Sequence, residues 1–303
     1  MDAAVNAMPA FGLAPWMRER LDRVEQALSD WVVADAPAGL GEAMRYAVLD
    51  GGKRLRPLLV LAAAEAVQGH AGAALRAACA VELIHAYSLV HDDMPCMDDD
   101  VLRRGKPTVH VRFGEARALL AGDALQALAF EVLTPDGDGV PAAMQARLCA
   151  LLARAAGHQG MAGGQAIDLA SVGAALTEDQ LRRMHRLKTG ALLQASVAMG
   201  AACGAAGARA GEALARYGAA LGLAFQVVDD ILDVTADSQT LGKTAGKDAQ
   251  ADKPTYVSIL GLERSRAHAQ ELLAEAIAAL DACGLPDTRA LRALALMVVD
   301  RNN

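Results

Sequence analysis

The sequence predicts an all-α, single-domain helical bundle, and three observations carry that expectation. Of the 303 residues, 53% are hydrophobic but only 3% aromatic, a balance set by Ala and Leu, which favour helix. Apolar residues recur at helical spacing along most of the chain, and no run of any strength shows the period of two of a half-buried strand. Two acidic clusters, Asp92-Asp93 with Asp98-Asp99-Asp100 and Asp229-Asp230 with Asp233, lie inside or at the end of apolar helical runs. No linker or low-complexity break interrupts residues 1–303, so they read as one domain although length alone would allow about two.

Taken in order, the first helix is predicted over 15–31, with Pro15 tolerated at its start and Leu21, Val24 and Leu28 on one face. A short helix over 41–49 stops at Gly51-Gly52, and Pro57 opens the next, to 67. The turn between them carries Lys53, Arg54 and Arg56 beside a helix N-terminus, where anions are favoured. Taken alone, it reads as an ordinary solvated basic turn. A long helix over 71–93 follows, and Pro95 marks its end. At 100° per residue His85, Ser88 and Asp92 share a stripe, with Asp93 off it. The break at Met94-Pro95 lets Asp98 return towards Asp92.

Helices over 114–133 and 141–156 are joined by an Asp/Gly turn without a calcium loop's ligand set. Gly163-Gly164, before Gln165 and Asp168, points to close helix packing. Thr177 and Gln180 form a capping signal for a helix that carries His185 and then Lys188-Thr189-Gly190, where the glycine can bend it. Over 212–234, Asp229 and Asp233 lie four apart on one face, Gln226 three before Asp229, and Asp230 faces away. The Gly/Lys-rich stretch 237–248, with Lys253-Pro254-Thr255 beyond it, reads as a lid that brings cations onto a bound phosphate. Helices over 256–280 and 287–299 close the chain.

Net charge is −7 and the isoelectric point about 5.5, which excludes the basic footprint of a nucleic-acid binder. Anionic substrates must be held by local clusters, Lys53-Arg54-Arg56 and Arg103-Arg104-Lys106. Five cysteines without a CxxC pair, and no secretory signal, fit a reduced cytoplasmic protein. The longest uncharged stretch, 189–208, is Ala/Gly-rich with Gln194 and Ser196 inside; it reads as a bundle helix rather than a membrane span. Five carboxylates within residues 92–100 are costly to bury unless cations neutralise them. Oxygen-only ligands select hard cations, Mg2+ above all when phosphates complete its shell. Two such clusters, with arginines beside one, point to a magnesium-diphosphate site. His70, His110, His158 and His268 form no cluster and read as structural or surface groups, and His91 reads as a packing residue.

Taken together, several segments resemble the trans-isoprenyl diphosphate synthases, and most nearly the bacterial farnesyl diphosphate synthases. They are Gly51-Gly52-Lys53-Arg54-Leu55-Arg56-Pro57, the run from His91 to Asp100 with Arg103-Arg104-Gly105, Gly163-Gly164-Gln165-Ala166-Ile167-Asp168, Lys188-Thr189-Gly190, the run from Phe225 to Asp233, and the 241–248 loop with Lys253-Pro254-Thr255-Tyr256. The resemblance spans Gly51 to about Tyr256, and the terminal helices add little. It implies an isoprenoid-synthase bundle around a deep central cavity, with the two Asp-rich motifs at its mouth, and a homodimer. It implies Mg2+, three ions with substrate bound, held by Asp92, Asp98 and Asp229 with Asp93 and Asp233 nearby or acting through water. Arg103, Lys188 and Lys243 would contact the allylic diphosphate, with Lys253 a further substrate contact. Lys53, Arg56, His85 and Arg104 would hold isopentenyl diphosphate, and Thr189 and Gln226 would stand near the developing carbocation. The implied reaction ionises the allylic C–O bond, lets the isopentenyl double bond attack, and passes the proton to the departing diphosphate, with water kept out.

In such enzymes, bulk just before the first Asp motif limits the growing tail. Tyr87 five residues before Asp92, Ser88 four before it, and the two-residue expansion Pro95-Cys96 resemble enzymes that stop at fifteen carbons, with Tyr87 as the floor. Geranyl or geranylgeranyl diphosphate synthesis is the alternative within the class. A terpene cyclase would not need Lys53, Arg56 and His85 for a second diphosphate. An inactive partner subunit would be expected to have lost an Asp motif, and both are complete.

Overall fold

Interruptions by glycine, proline and clustered charge cut the chain into helices that pack around two adjoining apolar clusters. A computed structural model describes residues 11–49, 51–173, 176–235 and 255–300. The helices are α1 (Leu13–Trp31), α2 (Leu40–Val48), α3 (Leu55–Ala66), α4 (Ala71–Asp92), α5 (Val109–Phe113), α6 (Glu115–Leu133), α7 (Ala142–Ala156), α8 (Met161–Ala170) and α9 (Glu178–His185). A π turn, Arg186–Gly190, joins α9 to α10 (Ala191–Ala202), which is followed by α11 (Ala208–Thr235), α12 (Tyr256–Leu260), α13 (Leu262–Ala282) and α14 (Arg289–Val299). The all-α fold expected from the sequence is what the chain adopts. One predicted helix, 256–280, is divided: Gly261 at φ +80° separates α12 from α13.

α4 is apolar round most of its circumference, interrupted by Glu82 and by the His85, Ser88 and Asp92 stripe. It packs between α3 and α6, with α1 and α2 against it as well. It is, among the described residues, the one helix long and apolar enough to cross a bilayer, but 67% of that window is buried in the bundle. α3 is the wall between the two clusters: Val60, Leu61 and Ala64 face α4, while Leu58, Leu59 and Ala62 belong with α11 and α13. The middle of the uncharged 189–208 stretch forms α10, which crosses α3 so closely that a Cβ at Gly200 would fall 2.2 Å from the Val60 carbonyl oxygen.

One short strand pair departs from the strand-free expectation. Leu102–Arg103 (β1) and Lys106–Pro107 (β2) pair antiparallel, Leu102 with Pro107 and Arg103 with Lys106. The two turn residues, Arg104 at φ +53° and Gly105 at φ +76°, have the paired positive φ of a tight hairpin. Strands of two residues are too short to carry a period, which is why the sequence pattern does not register them.

Candidate active site

The first acidic cluster sits where α4 runs out. Asp93 caps the helix with its N–H on the Leu89 and His91 carbonyls. The chain then doubles back: the Asp98 N–H donates to the Asp92 carbonyl at 2.9 Å, and the Asp100 N–H to that of Asp93 at 3.1 Å. Asp98 therefore returns to Asp92 as the break at Pro95 requires. The Asp92 carboxyl is pushed up to about 6, first by desolvation and further by the Asp98 and Asp93 charges, against the pull of Lys188 and Arg103. Asp93, expected nearby or acting through water, is buried and gripped by Arg103, whose Nε reaches both carboxylate oxygens (3.0 and 2.9 Å) and whose Nη2 reaches Oδ1 at 2.6 Å. In this arrangement the guanidinium expected on a diphosphate is oriented by Asp93.

The basic turn before α3 differs from its expectation in one residue. Arg54, at φ +46°, turns inward and is 4% exposed. It donates to Glu25 at 2.6 Å, to Glu82 at 2.7 Å and to the Val48 carbonyl at 2.6 Å. It is a structural ion pair, leaving Lys53 exposed and Arg56 half-buried at the cavity. Arg104 of the hairpin lies across the paired glycines, donating to the Gly51 carbonyl at 2.6 Å; a Cβ at Gly52 would stand 2.8 Å from its Nη2. His85 lines the same cavity. Desolvation and then the Arg56, Arg104 and Arg103 charges hold its imidazole well below the ordinary range, so it is neutral at pH 7.

The π turn sends Lys188 towards the first acidic segment and Thr189 towards the second, and a local π bulge often marks a functional position. Thr177 and Gln180 start α9 with a reciprocal capping box. Beyond it, Lys188 Nζ meets Asp168 Oδ2 of α8 at 2.5 Å, and its charge also acts on Asp92. Gly164 fits where a Cβ would lie 2.1 Å from the Lys188 backbone nitrogen. Thr189 Oγ1 donates to Gln226 Oε1 at 2.8 Å, and Gln226 Nε2 donates to Asp230 Oδ1 at 2.8 Å. Gln226 is thus tied to Asp230, four residues on, and not into the Asp229–Asp233 stripe. Asp230 Oδ2 accepts the Tyr256 N–H at 2.8 Å and lies 3.8 Å from His185 Nε2, whose ring stacks on Tyr256. Asp229 is half-buried and Asp233 buried.

These elements enclose a cavity of about 400 Å³ whose wall includes Arg56, His85, Tyr87, Asp92, Lys188 and Thr189. Ser88 also lines it and gives its hydroxyl proton to the His85 carbonyl at 2.9 Å. The Tyr87 ring meets the edge of His91, 5.7 Å between centroids. His91 Nε2 lies 3.1 Å from the Leu119 carbonyl, and its ring fills the space a Cβ on Gly122 would take. Gln165 lines the cavity, and Asp168 and Asp230 stand behind it, bonded to Lys188 and Gln226; the sequence assigned a role to none of the three. Their signal was there, as polar side chains in apolar helices, but glycine packing nearby offered a sufficient reason for the first two. Lys243, Lys253 and the lid proposed over 237–248 lie outside the described residues.

The cavity thus combines a largely apolar wall with Asp92, Arg56 and Lys188, the features of a site for an anionic group attached to an apolar body. Residues 37–284 match the polyprenyl synthetase family. The chain is 51% identical over 267 residues to a probable farnesyl diphosphate synthase of Bradyrhizobium diazoefficiens, covering 86% of this chain and 80% of that one. It is also 45% identical over 299 residues to a chloroplastic geranylgeranyl pyrophosphate synthase of Catharanthus roseus, covering 98% and 84%. Among solved structures it matches an FPP/GFPP synthase from Zymomonas mobilis (42% identity, TM-score 0.84, 95% and 98% covered). It matches a geranyltransferase from Helicobacter pylori, complexed with magnesium and isoprenyl diphosphate, at 34% identity and TM-score 0.83 (96% and 98% covered). This chain belongs to the polyprenyl synthetase family. It is a trans-prenyltransferase, a prenyl diphosphate synthase of the farnesyl/geranylgeranyl type.

Proposed function

We propose that residues 1–303 act as one polyprenyl synthase domain that condenses isopentenyl diphosphate with dimethylallyl or geranyl diphosphate and releases chiefly (2E,6E)-farnesyl diphosphate. The observation that carries the chain length is Tyr87, a cavity-wall residue backed by His91, which in turn is seated on Gly122 of α6. A braced aromatic ring is a floor that does not yield to a longer tail. The farnesyl synthase relative supports the same length.

Asp92, Asp98 and Asp229 would hold Mg2+, with Asp93 and Asp233 beside them and three ions once substrate is bound. The donor set fits: it is all carboxylate oxygen, and Asp92, raised first by burial and then by the Asp98 and Asp93 charges, is a carboxylate whose ionised form a cation would favour. The metal supplies charge neutralisation of the leaving diphosphate. Lys188 and Arg103, with Lys243 and Lys253, bind that group. Lys53, Arg56, Arg104 and the neutral His85 hold isopentenyl diphosphate, and the apolar wall excludes water from the allylic cation. A second copy of the chain covers α6, which exposes Leu119 and Leu120 beside Val111 of α5.

Incubation with Mg2+, isopentenyl diphosphate and dimethylallyl diphosphate, followed by dephosphorylation and separation by chain length, tests the reading. A dominant fifteen-carbon alcohol is expected. A ten- or twenty-carbon product would move the assignment to the geranyl or geranylgeranyl alternative, and no elongation would overturn it.

A further inference from the structure

We propose that Asp230 is a positioning residue that sets which end of the Thr189 hydroxyl faces the cavity, acting through the Gln226 amide. The inference rests on the prenyl-transfer reading above. A carboxylate only accepts hydrogen bonds. Asp230 Oδ2 is used by the Tyr256 N–H and Oδ1 by Gln226 Nε2, each at 2.8 Å. That fixes the amide: Gln226 must present Oε1 to Thr189, and the threonine proton is committed to it at 2.8 Å. Thr189 lines the cavity, so what its hydroxyl has left to offer there is lone-pair density. A fixed oxygen dipole with its negative end inward stabilises a developing allylic cation without reorganising.

The chain of donors has a definite inverse. In Asp230→Asn the backbone N–H of Tyr256 still needs an acceptor, so the asparagine oxygen stays there and its NH2 turns to Gln226. The glutamine must then rotate, offering Oε1 to the asparagine and Nε2 to Thr189. The hydroxyl, now an acceptor from Gln226, points its proton into the cavity against the cation. The double variant Asp230→Asn with Gln226→Glu reverses this, because the glutamate accepts from both neighbours and Thr189 regains its original sense with total charge unchanged.

The test compares wild type, D230N, T189V, D230N/T189V and D230N/Q226E in single-turnover and steady-state assays, with circular dichroism and Tm for each. D230N is expected to lose about ten- to hundred-fold in kcat with KM for both diphosphates changed less than about threefold. D230N/T189V is expected to match T189V, since the relay has no target without the hydroxyl. D230N/Q226E is expected to recover at least about tenfold over D230N. Additive losses in D230N/T189V, or a folded D230N/Q226E no better than D230N, would overturn the relay while leaving the reaction itself intact. A wild-type chain that makes no elongated product would instead remove the functional reading on which the relay rests.

Discussion

At the scale of single residues, Tyr87 and His185 yield the sharpest expectations. Tyr87→Ala should open the cavity floor and shift product from fifteen carbons to twenty or more, read by chromatography of the dephosphorylated products; an unchanged profile would place the length limit elsewhere. His185 is buried, and desolvation, its largest cause, lowers its imidazole to about 4 from 6.5. Between those values the unfolded chain binds the extra proton, so the contribution is fully present above pH 6.5 and is lost as pH falls towards 4. The loss should approach about 3 kcal/mol, seen as a falling urea midpoint that His185→Asn flattens. Residue identities in the site were legible because so many charges and amides in apolar helices needed a reason. Their partners were not: nothing in a linear pattern says that Arg54 turns inward to Glu25 and Glu82, or that Asp93 holds Arg103.

At the scale of elements, the decisive contact is α8 against the π turn. Gly164→Ala would set a methyl 2.1 Å from the Lys188 nitrogen, against backbone that has no rotamer with which to yield. We expect a stability loss of about 1–3 kcal/mol, measured by thermal unfolding, and lower kcat/KM because Lys188 and Thr189 shift together. Helix boundaries were readable where chemistry announces them, as at the Thr177 cap and the Pro95 stop. The π turn was visible only as an odd Lys-Thr-Gly interruption, since α10 beyond it is apolar all round and has no face whose rotation would show an inserted residue. Gln226 was assigned to the Asp229 stripe because spacings of three and four both share a helix face, and only the placement of α12 selects the bond to Asp230.

At the scale of the whole molecule, the all-α bundle was legible from composition and period, because helices can be recognised one at a time. The assignment of α3 as a wall shared by two apolar clusters was not, since a helix apolar all round fits any interior position. The exposed leucines of α6, Leu119 and Leu120, give the assembly prediction. Leu120→Asp, at a site 56% exposed, should leave the fold intact by circular dichroism but shift the mass found by light scattering from dimer to monomer. The same mass in both proteins would place any interface elsewhere. The Arg104 guanidinium lying over Gly51 and Gly52 joins two signature segments some fifty residues apart in sequence. For anyone recombining this gene with a relative, 51–56 and 101–107 behave as one cassette: a crossover between them that brings a bulkier residue to Gly52 evicts the arginine, and swapping both together keeps it seated.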